Sequence, residues 1–237
     1  MALVPWTYNN PRIQRSNCRE QTYTFCNKNV TVYQDTEKEI NVHNNTAFKM
    51  WDGSFLLAKY LENKCLGDRT NSFLKKKNCI ELGAGCGLVG IVTWLLGANV
   101  TLTDMDTVVS FTENCVAKNI GHLTEEHAEL NANINVMELT WGKKDLDDSR
   151  FCAYDIILGS DIVYSPDIKL NEMLISTMES LWKEDTVFIL SYKPRSLGEN
   201  IFFDMLSERN FATHTIPSTQ HPKEFSGSDY SIFHITR

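Results

Sequence analysis

The run Cys79-Ile-Glu-Leu-Gly83-Ala-Gly85-Cys-Gly87-Leu-Val-Gly90 constrains the fold more than any other stretch of the chain. A short apolar run enters it, and the apolar segment Leu88–Leu96, stopped by Gly97, leaves it. A buried strand that turns through glycines into a buried helix is the opening of a β-α unit. Glycine is required there because the chain turns tightly and a ligand must approach the backbone with no Cβ in the way. The helix start beyond the turn offers unpaired N–H groups and a partial positive charge.

The pattern then repeats. Asn99–Thr103 reads as a second strand, and Asp106 or Thr107 can cap a helix whose Val108, Phe111, Cys115 and Val116 share one face. Ile134–Leu139 and Tyr154–Gly159 read as further strands. Ser165 followed by Pro166 signals a helix start, with Leu170, Met173, Leu174, Met178 and Leu181 on its apolar side. That helix leads into the strand Thr186–Tyr192. A helix near 199–208 precedes two β-like runs, Phe211–Ile216 and Tyr230–Thr236, expected to pair antiparallel at the sheet edge. Upstream, residues 22–33 alternate around a turn at Asn27-Lys28-Asn29, a β-hairpin, and residues 53–62 carry helical spacing. The expected fold is α/β: a doubly wound, Rossmann-like, mostly parallel sheet with an antiparallel C-terminal pair and an N-terminal hairpin extension. The expected organisation is an extension with the hairpin over 1–45 and one α/β domain over 46–237. Such sheets bind ligand beyond the carboxyl ends of their strands, at the switch point.

Composition narrows the partners. The chain has 237 residues with a formal net charge of −7 and a single basic run, Lys75-Lys76-Lys77, read as a solvated strand entry. An acidic surface disfavours a broad grip on a phosphate backbone, so no nucleic acid is expected. No run of apolar residues approaches a membrane span. Seven cysteines, scattered and without metal-ligand spacing, point to a reducing compartment, and the histidines show no ligand spacing either. A cytosolic or nuclear monomer without a metal is expected.

Asp104 closes the second strand, where a carboxylate can take both hydroxyls of a ribose. Gly85-x-Gly87-x-x-Gly90 also satisfies the dinucleotide fingerprint, which keeps a nicotinamide-dependent oxidoreductase in play. Glu81, two positions before the first glycine, favours S-adenosylmethionine: it would repel a pyrophosphate but suits a ligand bearing an ammonium and a sulfonium.

Four ordered motifs resemble a known family. Met50-Trp51-Asp52, Glu81-Leu-Gly83-Ala-Gly85 with Gly87-Leu-Val-Gly-Ile91, Leu139-Thr-Trp141-Gly, and Leu158-Gly-Ser160-Asp161-Ile-Val-Tyr164 are similar to those of class I, cytosolic protein-lysine methyltransferases. Members of that family modify chaperones, AAA-type ATPases and translation elongation factors. The resemblance runs from about residue 21 to the C-terminus and implies cofactor contacts at Trp51, Glu81, Gly83, Gly85, Asp104, Trp141 and Ser160. Cys86 stands where threonine is common and Ser160 where alanine is common. From the residues alone, core packing and ligand contact are equal readings for Trp51 and Trp141, whereas Trp94 and Trp182 read as core.

The Asp-x-x-Tyr segment carries the expected transfer chemistry. A lysine amine of pKa near 10.4 is neutral in only about one molecule in two thousand at pH 7. A carboxylate beside it raises that pKa, so Asp161 is assigned to docking the lysine, with the proton lost to water. Tyr164 is assigned to lining the lysine channel. The bland alternative makes Asp161 a cap or turn residue ahead of Ser165-Pro166.

Overall fold

The computed structural model describes residues 18–35, 46–67, 73–126, 132–143 and 154–237. Cys152, His43 and the boundary expected near residue 45 lie outside the described residues. In chain order the elements are β1 (Glu20–Phe25), β2 (Lys28–Tyr33), α1 (Asp52–Gly67), β3 (Asn78–Leu82), α2 (Leu88–Leu95), β4 (Asn99–Asp104) and α3 (Asp106–Glu126). There follow β5 (Ile134–Glu138), β6 (Ile156–Ser160), α4 (Ile168–Ser180), β7 (Val187–Tyr192), α5 (Ile201–Glu208), β8 (Ala212–Thr215) and β9 (Ser231–Thr236).

β1 and β2 form a separate hairpin, while seven strands form one sheet in the order β5-β4-β3-β6-β7-β9-β8. The strands from β5 to β7 run parallel, and β9 enters antiparallel to β7 with β8 at the edge. The chain leaves β3 toward β4 and β5 and then returns to the other side at β6. The switch point therefore falls between β3 and β6, and the glycine turn and Asp161 follow these two adjacent strands.

Alternation along the central strands divides the core. Cys79 packs with the hairpin's Phe25, Val30 and Val32, with Leu56, Leu57 and Leu61 of α1, and with Val89 and Val92 of α2. Ile80 and Leu82 point the other way, toward Leu174, Ile175 and Met178 of α4 and Phe202 and Leu206 of α5. Period two on a strand covered on both faces produces this division.

Two local expectations shift. The hairpin turn is Cys26-Asn27, one residue earlier than the expected Asn27–Asn29. Both residues have positive φ (53° and 61°), as a tight two-residue turn between twisted strands demands. The cap of α4 is Asp167, not Ser165: its carboxylate accepts N–H bonds from Lys169 (2.9 Å) and Leu170 (3.3 Å). The Ser165 hydroxyl instead accepts from the Asp167 N–H at 3.1 Å, holding the cap itself in place. Pro166 thus lies before the helix and not in its first turn.

Candidate active site

The turn after β3 is locked from both sides. Gly85 sits at φ +50°, and a Cβ there would lie 2.7 Å from the Ala47 carbonyl oxygen, so glycine alone fits. Its N–H donates to Asp104 Oδ2 at 2.9 Å, and its carbonyl accepts from the Thr112 hydroxyl at 2.7 Å. Asp104 also accepts the Met105 N–H on Oδ1 at 2.8 Å. Burial raises the Asp104 pKa while those two amides oppose the rise. A carboxylate has about four lone-pair positions, so roughly two remain free on Asp104 for further donors.

Glu81 is buried within the turn's support. One oxygen accepts the Gly90 N–H at 2.8 Å, and burial pushes its pKa up to about 8. The bond spans from β3 to α2, so what the structure shows of Glu81 is a brace for the strand-turn-helix unit.

Around the turn stand the other residues singled out in the sequence. The Trp141 ring edge lies 3.6 Å from the position a Cβ on Gly83 would take, which places this half-buried ring against the turn. Ser160 is the half-buried last residue of β6, paired in register with Ser191 of β7. Trp51 precedes α1 and is 39% exposed, with its indole N–H donating to the Thr46 carbonyl at 2.9 Å. Tyr164 is 42% exposed. Its phenol pKa is raised by partial burial and by the Asp104 carboxylate and lowered by Arg195, so Tyr164 lies within electrostatic reach of both.

Asp161 follows β6 in a left-handed conformation, φ +55°, with its N–H donating to the Ser191 carbonyl at 3.0 Å. Its carboxylate is buried and already engaged. Oδ2 accepts the Gly53 N–H at 2.8 Å and the Tyr230 hydroxyl at a longer 3.4 Å, while Oδ1 accepts Arg195 Nη2 at 3.0 Å. Burial raises its pKa against the pull of Arg195, Gly53 and Tyr230. Gly53 has to be glycine, because a Cβ would fall 2.3 Å from Asp161 Oδ2. The Ser191 hydroxyl holds the Gly53 carbonyl at 2.8 Å. Asp161 is therefore a cap after all, but of α1 and not of α4, and it docks the start of α1 onto the ends of β6 and β7.

Arg195 is the residue that sequence reasoning missed. Besides binding Asp161, its guanidinium sits 5.7 Å from the centroid of the Trp51 ring and donates to the Val163 and Lys193 carbonyls. The available signal was a cation three residues beyond a strand, in a loop on the ligand side of the sheet. A cavity of about 240 Å³ lined by Asn78, Asn99, Asn133 and Asn135 lies at the opposite, amino ends of the strands, away from all of these residues.

The profile of the lysine methyltransferase family matches residues 26–209. "Protein N-lysine methyltransferase METTL21A" of Danio rerio is 37% identical over 210 residues, covering 88% of this chain and 87% of that protein. "EEF1A lysine methyltransferase 3" of Xenopus tropicalis is 32% identical over 220 residues, covering 92% and 85%. Among solved structures, the T. thermophilus 16S rRNA N2 G1207 methyltransferase RsmC, in complex with AdoMet and guanosine, shares the fold. Its TM-score is 0.60 at 14% identity, with 92% of this chain and 50% of that one covered. The cofactor is S-adenosylmethionine, and the residues fit it: Asp104 keeps acceptor capacity for a ribose, and the glycine turn presents backbone to the ligand. The nicotinamide alternative is set aside. The chain belongs to the lysine methyltransferase family.

Proposed function

We propose that the chain methylates the ε-amine of a lysine presented by a folded protein, acting as a monomer in the cytosol or nucleus. The observation that carries the reading is where the apolar surface lies. Among the described residues, six large apolar side chains are exposed, and five of them (Trp51, Met105, Tyr164, Ile168 and Leu197) sit at the carboxyl end of the sheet. An apolar rim around a polar centre suits a protein partner, because such patches on monomers mark interaction sites. The relative named for EEF1A makes that elongation factor the first acceptor to try.

When bound, S-adenosylmethionine supplies a methyl carbon made electrophilic by its sulfonium. Asp104 and the glycine turn hold the nucleoside end, with Trp51, Trp141 and Ser160 flanking it. The substrate lysine enters beside Tyr164, whose ring offers a cation–π face to the ammonium. Asp161 steers the lysine by its charge and its one remaining lone-pair position. With S-adenosylmethionine held there, its methyl would pass to the lysine nitrogen once that nitrogen is neutral, the electron pair of the broken bond would stay on sulfur, and the methylated nitrogen would give its proton to water. Alignment dominates such a step, and about 1 Å of misplacement costs on the order of a hundredfold.

The test is incubation with methyl-labelled S-adenosylmethionine and either purified EEF1A or a cell extract, followed by hydrolysis. Label is expected in methyl-lysine from a discrete protein band. Label only in RNA, or in no lysine of either acceptor, would sink the reading.

A further inference from the structure

Resting on the lysine-transfer reading above, we propose that Arg195 is a positioning residue: paired with Asp161, it offsets that carboxylate's tendency to keep the substrate lysine protonated. A lone buried carboxylate within about 4–6 Å of an amine favours the ammonium by roughly 1–3 pH units, which works against a nucleophile that must be neutral. A fixed guanidinium at the same place pushes the other way. Asp161 then still attracts and orients the lysine, while the pair as a whole hardly raises its pKa.

Arg195 is built into the site by directional contacts. Its Nη2 bonds Asp161, its Nη1 bonds the Val163 carbonyl next to Tyr164, and its guanidinium carbon lies 5.7 Å from the centre of the Trp51 ring, so it links the residues beside which the lysine is read to enter. The loop carrying it is fixed by a buried carboxylate, Glu199, only 2% exposed. Glu199 accepts the backbone N–H groups of Arg195, Ser196 (3.1 Å) and Leu197 (2.7 Å) and the Tyr192 hydroxyl (3.2 Å). Burial alone would raise the Glu199 pKa, but these donors hold it down at about 2, so the clamp stays ionised. A solvated surface arginine has no need of such a support. The other titratable groups facing the pair are Tyr230 beside β9, Lys193 over the Tyr230 ring, Asp52 at the head of α1, Asp104 and Tyr164. All of them are unchanged in the variants below, so their fields cancel in the comparison.

The test measures single-turnover methyl transfer with enzyme in excess and saturating S-adenosylmethionine, from about pH 6 to pH 10, the span in which a bound lysine titrates. The acceptor is the extract protein that the wild-type chain labels, isolated from its band. Arg195→Gln retains an amide donor for Asp161 but no charge, and Arg195→Lys retains the charge. The rising limb of the Gln variant is expected about one pH unit or more above wild type, giving about a tenfold loss at neutral pH that is recovered in alkali. The Lys variant is expected to restore the wild-type limb. Arg195→Met, which removes the charge and keeps the apolar stem, is expected to move the limb the same way, and it carries the comparison if Arg195→Gln does not fold. An equal loss at every pH, a Lys variant that behaves like Gln, or an unmoved limb in Arg195→Met would overturn the proposal. If the wild-type chain labels no lysine at any pH, it is the lysine-transfer reading that has failed.

Discussion

Asp104 and Asp161 are both buried carboxylates at strand ends, but they hold different amounts of unused capacity. Asp104 binds two amides, whereas Asp161 binds an amide, a hydroxyl and a guanidinium. The first is equipped to take on a ligand's donors, and the second mainly to hold its surroundings. Asp104→Ala is accordingly expected to weaken S-adenosylmethionine binding by about 1.5–3 kcal/mol, roughly tenfold to over a hundredfold, measurable by calorimetry. Unchanged affinity would remove Asp104 from the cofactor site. Glu81 supports a pH prediction. Its folded pKa is raised to about 8, so the stability linked to its proton is complete below the usual carboxylate range and is lost as pH rises toward 8. Glu81→Gln keeps an oxygen for the Gly90 N–H and does not titrate. Its melting temperature without cofactor should therefore fall less than the wild type's between about pH 5 and pH 8.

At the scale of elements, strands and helices were legible because their periods survive in the residues: Cys79–Leu82 alternates between two covered faces, and α4 repeats its apolar side at helical spacing. The glycine turn and Asp104 were legible because local chain geometry restricts the residue types that fit. The helix cap is Asp167 instead of Ser165 because α4 starts at Ile168, which leaves Ser165 three residues short of it with its hydroxyl accepting the Asp167 N–H. The engagement of Asp161 could not be read, since Gly53, Arg195 and Tyr230 come from three distant segments that only the sheet topology brings together. The β9–α1 contact is of the same kind. His234 Nε2 lies 3.1 Å from the Tyr60 hydroxyl, and burial, with help from the Lys64 and His214 charges, lowers its pKa to about 4. The unfolded chain binds that proton first, so this contribution to stability is lost as pH falls from about 6.5 toward 4. Thermal melts of His234→Gln should show a shallower decline across that window than the wild type. Parallel declines would mean that the contact does not control acid sensitivity.

At the scale of the whole molecule, the expected division at residue 45 separates a hairpin that the structure packs into the same core as α1 and α2. Phe25 and Val30 are wholly buried and Val32 is nearly so. Fully burying each such side chain contributes about 1.5–3 kcal/mol, so the three together approach the 5–15 kcal/mol that holds a typical domain folded. Polar contacts fix the hairpin's register on the domain. Asn119 of α3 accepts the Thr31 N–H and donates to the Thr31 carbonyl, both at 2.8 Å, and the Gln34 side chain accepts the Met50 N–H at 2.8 Å. Lys59 of α1 donates to the Thr24 carbonyl at 2.7 Å and lies 4.2 Å from the centre of the Phe25 ring. The segment Thr46–Phe48, which places the Ala47 carbonyl against Gly85, is tied to the end of the hairpin by the Asp35 N–H, which donates to the Phe48 carbonyl at 3.0 Å, so losing the hairpin also loosens the cover of the cofactor turn. A chain beginning at residue 46 should therefore fail to melt cooperatively and should bind S-adenosylmethionine far more weakly than the full chain. Adding residues 18–35 as a separate peptide should restore little, because the association cost is no longer met by covalent linkage. A truncated chain with wild-type melting and cofactor affinity would show that the hairpin is an appendage, leaving α1 and α2 able to close the core without it.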